Sequence, residues 1–536
     1  MKVYQAIPEL VRRTGLDTMF GLFGSANVTW VAHGVQENIF RFYHVRHEQT
    51  SVTAAAAYSR VTGKVGLASV TLGPGFANTV NSLAAALHDH VPVILFVGQS
   101  PSNKLGGDFQ KLNQREIVEA LGAGFHSAAK PSELETAFWA AWRDVHWNGT
   151  AQVVSIDEAM LDSDIQLSGQ GTDLDSVAEE PDPDVVSTVV GELAGSSAPL
   201  IIAGQGASLA NCHDLLVELA DLTGARVAST LNVHRFFAGH PQDMGVCGKS
   251  SSPLIAEELA DTDLVLAVGA SLNSFTTSDG GMFPRAKIVQ LEINEDADFK
   301  ATSAEYGMLG DARASLQALI EEWRRRGLGE REPQRVAPSW AQMQKSVRRV
   351  DLGHDPKRGL DLREVYMAFD EGLPADRIIV TDGGRAGIPA PALLNARDGR
   401  SWLTSRGYGS IGLGIGASIG ASIGAPGRQV ALFCGDGGFM AAAQELDTIR
   451  LYGLNVLIVI LNDEQYGSEI KYLNRYNLDL DIAQYSMPDV QLLAEAFGGS
   501  SVRITNLEEL QSFRWSGAGL VICDVRIDPQ VDPANI

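Results

Sequence analysis

Asp436 and Asp463 each stand at the end of a short apolar run, Val430–Cys434 and Val456–Leu461. Each run has the length and composition of a buried strand. The first run ends at Gly435-Asp436-Gly437-Gly438, and a helical pattern follows from Phe439 to about Tyr452, with Gly453 as its C-cap. Strand, helix and strand in that order build a right-handed parallel unit. Both carboxylates then sit at the carboxyl ends of parallel strands, where such sheets bind ligands. Gly435, Gly437 and Gly438 let the backbone turn sharply and approach a ligand closely. The start of the helix offers unpaired backbone N–H groups to an anion. Two hard oxygen ligands beside an anion site point to Mg²⁺ carrying a diphosphate, because Mg²⁺ takes one or two carboxylates plus phosphate oxygens.

The same doubly wound pattern extends along the chain. Residues 1–165 alternate strand signals (Thr18–Phe20, His44–Arg46, Val65–Thr71, Val93–Gly98) with helical ones (Gln49–Thr62, Thr79–His88). Gln166–Asp184 is rich in Ser, Gly, Asp, Glu and Pro and reads as a linker. A second α/β unit over 185–330 has strands at Leu200–Ala203, Leu264–Val268 and Lys287–Ile293. Its Gly204-Gln205-Gly206 is weak evidence for a nucleotide. Arg324–Pro338 forms a charged second linker, and a third unit over 355–536 opens with the strand Ile378–Thr381. The expected class is α/β with three doubly wound parallel-sheet domains.

Composition narrows the partners. A net charge of −23 disfavours nucleic acid and anionic membrane, since no basic stripe is there to release counterions. Four separated cysteines, without a Cys-x-x-Cys, argue against a zinc site or a disulfide framework. The N-terminal residues lack a signal-peptide core, so a cytoplasmic location is expected. Gly409–Ala425 is too short and too rich in Gly and Ser for a membrane span. It reads as a buried helix, packed against another backbone beside a cofactor.

The GDG…N-D arrangement resembles the metal–diphosphate motif of thiamine-diphosphate (ThDP) enzymes, and further motifs agree. Arg46-His47-Glu48-Gln49, leading to Arg60-Val61-Thr62-Gly63, is similar to a segment of acetohydroxyacid synthases and their decarboxylase relatives. Leu72-Gly73-Pro74-Gly75 with Asn78 resembles the next motif, and the resemblance covers the whole chain. It implies that Asp436, Asp463 and the carbonyl of Gln465 hold Mg²⁺; here Asp463 stands where the family has Asn, which keeps oxygen ligation and adds negative charge. Gly73, Pro74, Asn78, Gly435, Gly437, Gly438 and Tyr466 would line the cofactor, and Ile411 would wedge between its two rings. Glu48 would share a proton with the cofactor's pyrimidine, a task an apolar setting favours because it raises a carboxyl pKa. The competing reading of Glu48 is a carboxylate stabilised by its helix dipole.

The resemblance is divided on the reaction. Phe109-Gln110 resembles the synthase segment whose Gln faces the reacting carbons, but the family's downstream Lys is missing from Gly122–His126. Ser25 falls where decarboxylase relatives carry a polar residue, with a turn residue as its plain alternative. Glu469 matches the catalytic Glu of pyruvate and indolepyruvate decarboxylases, with a solvated helix Glu as its alternative. The function implied is ThDP- and Mg²⁺-dependent decarboxylation of a 2-oxo acid with ligation of the enamine to a second carbonyl, as in acetolactate synthase. A non-ligating decarboxylase or a 2-hydroxy-ketone lyase releasing an aldehyde is the alternative, and an inactive ThDP-binding regulatory subunit the remote one. Ala270-Ser271-Leu272-Asn273-Ser274 replaces the Arg-containing stretch of FAD-binding members, so FAD is not favoured. The family further implies a homodimer or homotetramer with ThDP between subunits.

Overall fold

The computed structural model describes residues 1–100, 109–169, 180–293, 304–333 and 335–533. Residues 170–179 of the first expected linker lie outside the described residues. Among those described, the strands form three six-stranded parallel sheets flanked by helices. The first contains β1 (Thr18–Gly21), β2 (Arg41–His44), β3 (Gly66–Val70), β4 (Val93–Gln99), β5 (Gly124–Ala128) and β6 (Gln152–Asp157) in the order β2-β1-β3-β4-β6-β5. The second contains β7 (Pro199–Ala203), β8 (Arg226–Ser229), β9 (Asp243–Val246), β10 (Leu264–Val268), β11 (Lys287–Glu292) and β12 (Tyr306–Leu309), ordered β12-β11-β10-β7-β8-β9. The third contains β13 (Ile378–Thr381), β14 (Trp402–Thr404), β15 (Val430–Gly435), β16 (Val456–Asn462), β17 (Ser500–Ile504) and β18 (Leu520–Arg526), ordered β14-β13-β15-β16-β18-β17.

The first and third sheets therefore share one topology, while the middle sheet has the strand order of dinucleotide-binding folds. Packing nevertheless explains the glycines of its Gly204-Gln205-Gly206. A Cβ on Gly204 would lie 2.1 Å from the Gly269 carbonyl oxygen, and one on Gly206 2.8 Å from the Gly269 Cα.

A single apolar core joins the first and third sheets, running from Val52, Ala54 and Val70 to Ile415, Ile419 and Leu432. At its centre the glycine-rich helix Gly414–Gly424 lies against the helix Glu48–Thr62. A Cβ on Gly420 would stand 2.0 Å from the Ala54 carbonyl oxygen, so that crossing requires glycine. Close backbone packing is thus the role of the Gly-rich stretch, and it ties the third sheet to the helix that begins at Glu48.

Two expected elements differ. The strand expected at His44–Arg46 is Arg41–His44, because residues 45–47 instead form the turn into the Glu48 helix. The helix expected from Phe439 to Tyr452 is broken into Asp436–Met440, a 3₁₀ turn Ala443–Glu445 and Leu446–Leu451. Ala442 leaves helical geometry at φ −135°, ψ 16°, which turns Glu445 towards the first sheet. The charged second linker also starts later than expected, since the helix Ala312–Arg325 takes its first two arginines.

Candidate active site

β15 and β16 are parallel neighbours with Gly435 opposite Leu461, so Asp436 and Asp463 leave adjacent strands at the same sheet end. Asp436 is buried; its Oδ1 accepts from Gly437 N (2.9 Å) and the Tyr485 hydroxyl (2.9 Å), its Oδ2 from Glu464 N (2.7 Å). Burial, then the neighbouring charge of Asp463, pushes the Asp436 carboxyl up to about 6. Asp463 is raised by burial too, against the opposing pull of the Arg385 guanidinium that contacts its Oδ2. The Gln465 Nε2 donates to the same oxygen at 3.4 Å, and the Gln465 carbonyl accepts from Gly467 N at 3.0 Å.

The glycines give this cradle its shape. A Cβ on Gly437 would lie 3.0 Å from the Tyr466 ring and 3.1 Å from the Tyr485 hydroxyl. One on Gly438 would lie 2.4 Å from Asp382 Oδ2, whereas one on Gly435 would meet nothing within 4 Å. Asp382 is itself buried and accepts from Ser405 Oγ (2.9 Å), Gly412 N (2.8 Å) and Leu413 N (3.3 Å). It thereby fixes the turn carrying Ile411, which is 40% exposed rather than a core residue. A side chain of that kind is free to meet a ligand.

The second cluster belongs to the first sheet. Glu48 is the first residue of its helix, half-buried, and its Oε2 accepts from Asn78 Nδ2 at 2.9 Å. Its Oε1 lies 3.6 Å from where a Cβ on Gly75 would stand. His47 caps the helix, its Nδ1 accepting from Gln49 N at 3.2 Å, which gives this histidine a structural task. Gly73 has φ +58°, and a Cβ there would stand 2.5 Å from the Gln110 carbonyl oxygen. The fold thus gathers Glu48, Gly73, Pro74, Asn78 and Gln110 around one loop. Ser25 opens a helix at the surface and donates to Glu158 at 3.3 Å. Glu469 is exposed in the first turn of the helix Gly467–Arg475, three residues beyond Tyr466.

Residues adjoining the two clusters meet within the chain. Asn81 Nδ2 donates at 2.9 Å to Gln49 Oε1 and at 2.9 Å to Ser410 Oγ, neighbours in sequence of Glu48 and Ile411. Glu445 accepts from Arg46 N and His47 N. Arg385, Tyr485 and Glu445 are contacts that sequence reasoning missed. Each is a single residue distant in sequence from its partner, and no spacing announces it. The Lys471–Met487 segment, rich in Tyr and Asn, is where Tyr485 could have been sought.

The donor set fits a divalent cation carrying phosphate. Two carboxylates are held together although burial raises both and the charge of Asp463 raises Asp436 further, and a cation would relieve that cost. Among the described residues no group of three or more His, Cys, Asp or Glu side chains is arranged for a metal, so carbonyl and ligand oxygens would complete the shell.

Three family models match the chain. They are the N-terminal TPP binding domain (residues 1–117), the central domain (186–319) and the C-terminal TPP binding domain (382–513) of thiamine pyrophosphate enzymes. An acetolactate synthase large subunit from Parasynechococcus marenigrum is 31% identical over 94% of this chain and 84% of its own length. The chain belongs to the thiamine pyrophosphate enzyme family. A probable acetolactate synthase large subunit from Methanocaldococcus jannaschii is 27% identical over 100% of this chain and 93% of its own length. The acetolactate synthase isozyme 3 large subunit of Escherichia coli is 26% identical over 87% and 83%. Within this family the chain is acetolactate synthase-like, and thiamine pyrophosphate, which is ThDP, is its cofactor. Among the described residues no helix is long and apolar enough to cross a membrane.

Proposed function

We propose that this ThDP enzyme decarboxylates a 2-oxo acid and joins the remaining acyl unit to a second carbonyl compound, with Mg²⁺ as the metal. The observation that carries the ligation reading is the packing of Gln110 on Gly73, in the same loop cluster as Glu48 and Asn78. The named relatives, acetolactate synthases, support it. When bound, the cofactor supplies the electron sink for a carbanion beside the former carbonyl.

The chain's own residues do the rest. Asp436, Asp463 and the Gln465 carbonyl hold the metal, while Gly435, Gly437, Gly438 and Tyr466 border the diphosphate. Ile411, fixed by Asp382, props the cofactor's rings. Gly73, Pro74 and Asn78 border the pyrimidine, and Glu48, oriented by Asn78, holds a proton at the pyrimidine nitrogen. Gln110 orients the acceptor carbonyl. The domains are 1–165 for the pyrimidine, 185–330 in the middle and 355–536 for the diphosphate. A homodimer or homotetramer is the working unit. The four buried, unpaired cysteines suit a reducing, cytoplasmic setting. FAD is not favoured, since packing alone gives the middle-domain glycines a role.

A second reading, simple decarboxylation or C–C lysis to an aldehyde, rests on Glu469 and Ser25. Glu469 is exposed close to Tyr466, where it could protonate a product. The intact Glu48, Asp436 and Asp463 speak against an inactive regulatory subunit. Incubation of the purified protein with ThDP, Mg²⁺ and pyruvate, followed by NMR of the products, separates the readings. Acetolactate is the expected product; acetaldehyde alone would replace ligation with the second reading.

A further inference from the structure

Asp463 brings to the metal cradle a negative charge that the neutral amide expected from the ThDP motif would not. The structure places a cation directly on it. Arg385, just after β13, reaches across to Asp463 Oδ2, and both side chains are nearly buried, at 11% and 7% exposure. The guanidinium also donates to the carbonyls of Pro529 (3.1 Å) and Val531 (3.2 Å), which anchor it from the stretch that follows β18. Its path crosses the backbone at Gly467, where a Cβ would stand 2.1 Å from Arg385 Nε. The position after Tyr466 is therefore shaped to the arginine. Arg385 and Asp463 cancel, leaving, of the two ligand carboxylates, the charge of Asp436.

We infer that Arg385 is the charge-balancing partner of Asp463, and that the two act together as the equivalent of one neutral oxygen ligand. In this role Arg385 is a positioning residue. It restrains Asp463 through Oδ2 and keeps the cradle at the charge that a divalent cation with a diphosphate requires. A carboxylate has a second oxygen with which to meet the metal. This inference rests on the Mg²⁺–ThDP reading of the site and makes a demand that the reading alone does not. Restoring the amide at 463 should harm the site unless the arginine is removed as well.

The experiment compares wild type, Asp463→Asn, Arg385→Gln and the double variant. The Mg²⁺ concentration needed for ThDP binding is read by quenching of intrinsic tryptophan fluorescence, and the melting temperature is measured after chelation. Asp463→Asn alone leaves a buried, unpaired guanidinium beside the metal and should raise the Mg²⁺ midpoint about tenfold or more. The double variant should return within about threefold of wild type, a coupling that contacting residues show and independent ones do not. In the chelated protein each single variant should melt below both wild type and the double, because each leaves one charge buried alone. Arg385→Lys, which keeps the charge, should bind with a midpoint near wild type. The inference is overturned if Asp463→Asn binds as tightly as wild type, or if the double variant is no better than Asp463→Asn. A wild-type protein that takes up no ThDP at any Mg²⁺ concentration would instead defeat the reading of the site, while the melting comparison would still report on the pair.

Discussion

The carboxylate of Glu445 accepts the backbone N–H of His47 at 2.8 Å and that of Arg46 at 3.0 Å, across the boundary between the third and first sheets. Glu445 is fully buried, and its other oxygen also accepts from Thr448 Oγ1 at 2.7 Å. The residue that follows His47 is Glu48, so one buried acid of the third sheet fixes the start of the helix carrying the candidate proton donor. Glu445→Ala should leave two part-buried N–H groups without a partner and cost about 1–2 kcal/mol of stability. A lower urea midpoint, with ThDP-dependent activity reduced further than stability alone explains, is the expected result.

Glu48→Gln keeps the shape of the side chain and a group for Asn78 to meet, but it cannot exchange a carboxyl proton. ThDP affinity should stay within a few-fold of wild type, while turnover should fall by about 100-fold or more. Parallel ThDP titration and steady-state kinetics check both parts. A variant as active as wild type would remove Glu48 from the mechanism.

Two glycines of the same turn should behave oppositely. Gly438→Ala drives a methyl group to 2.4 Å from Asp382 Oδ2, and Asp382 cannot retreat because Ser405, Gly412 and Leu413 hold it. Mg²⁺–ThDP binding should weaken at least tenfold, since both the diphosphate turn and the Ile411 turn must shift. Gly435→Ala meets nothing within 4 Å at φ −72° and should fold and melt as wild type does. Titration of ThDP and thermal melts of both variants provide the comparison.

The joint between the middle and third domains should be acid-sensitive. His234 is fully buried, packs edge-on against Trp402 at 4.7 Å and contacts the Leu394 carbonyl at 3.4 Å. Burial, then the charge of Arg235, pushes its pKa down to about 3. A histidine depressed on folding binds its proton more readily in the unfolded chain. Its contribution is therefore complete above about pH 6.5 and is lost as pH falls towards 3. At pH 5 the loss is about 2 kcal/mol. Denaturation curves at pH 7 and pH 5 should show this, and His234→Gln should flatten the difference.

What could be read from the sequence follows from burial. β13, β15 and β16 are interior strands, buried on both faces, and appear as unbroken apolar runs. The edge strands β5, β9, β12, β14 and β17 were not anticipated, and β2 was displaced. β17, Ser500–Ile504, is largely exposed and loses the apolar run that would mark it. Interior β6, β8 and β18 were hidden by polar residues such as Gln152, Asp157, Arg226, Asp524 and Arg526. Asp436, Asp463 and Glu48 were legible because turn glycines and helix starts flank them. Arg385 and Tyr485 were not, since their contacts with Asp463 and Asp436 arise only when distant loops meet.

The account stands most directly on metal-dependent cofactor binding at Asp436. Burial and the charge of Asp463 already disfavour its carboxylate, which offsets part of the loss of the bonds from Gly437 N, Glu464 N and Tyr485, so Asp436→Ala should still fold. Calorimetric titration of ThDP into wild-type protein should show saturable binding that requires Mg²⁺, and Asp436→Ala should bind at least about 100-fold more weakly. Equal binding by the two proteins, or wild-type binding indifferent to Mg²⁺, would contradict the account.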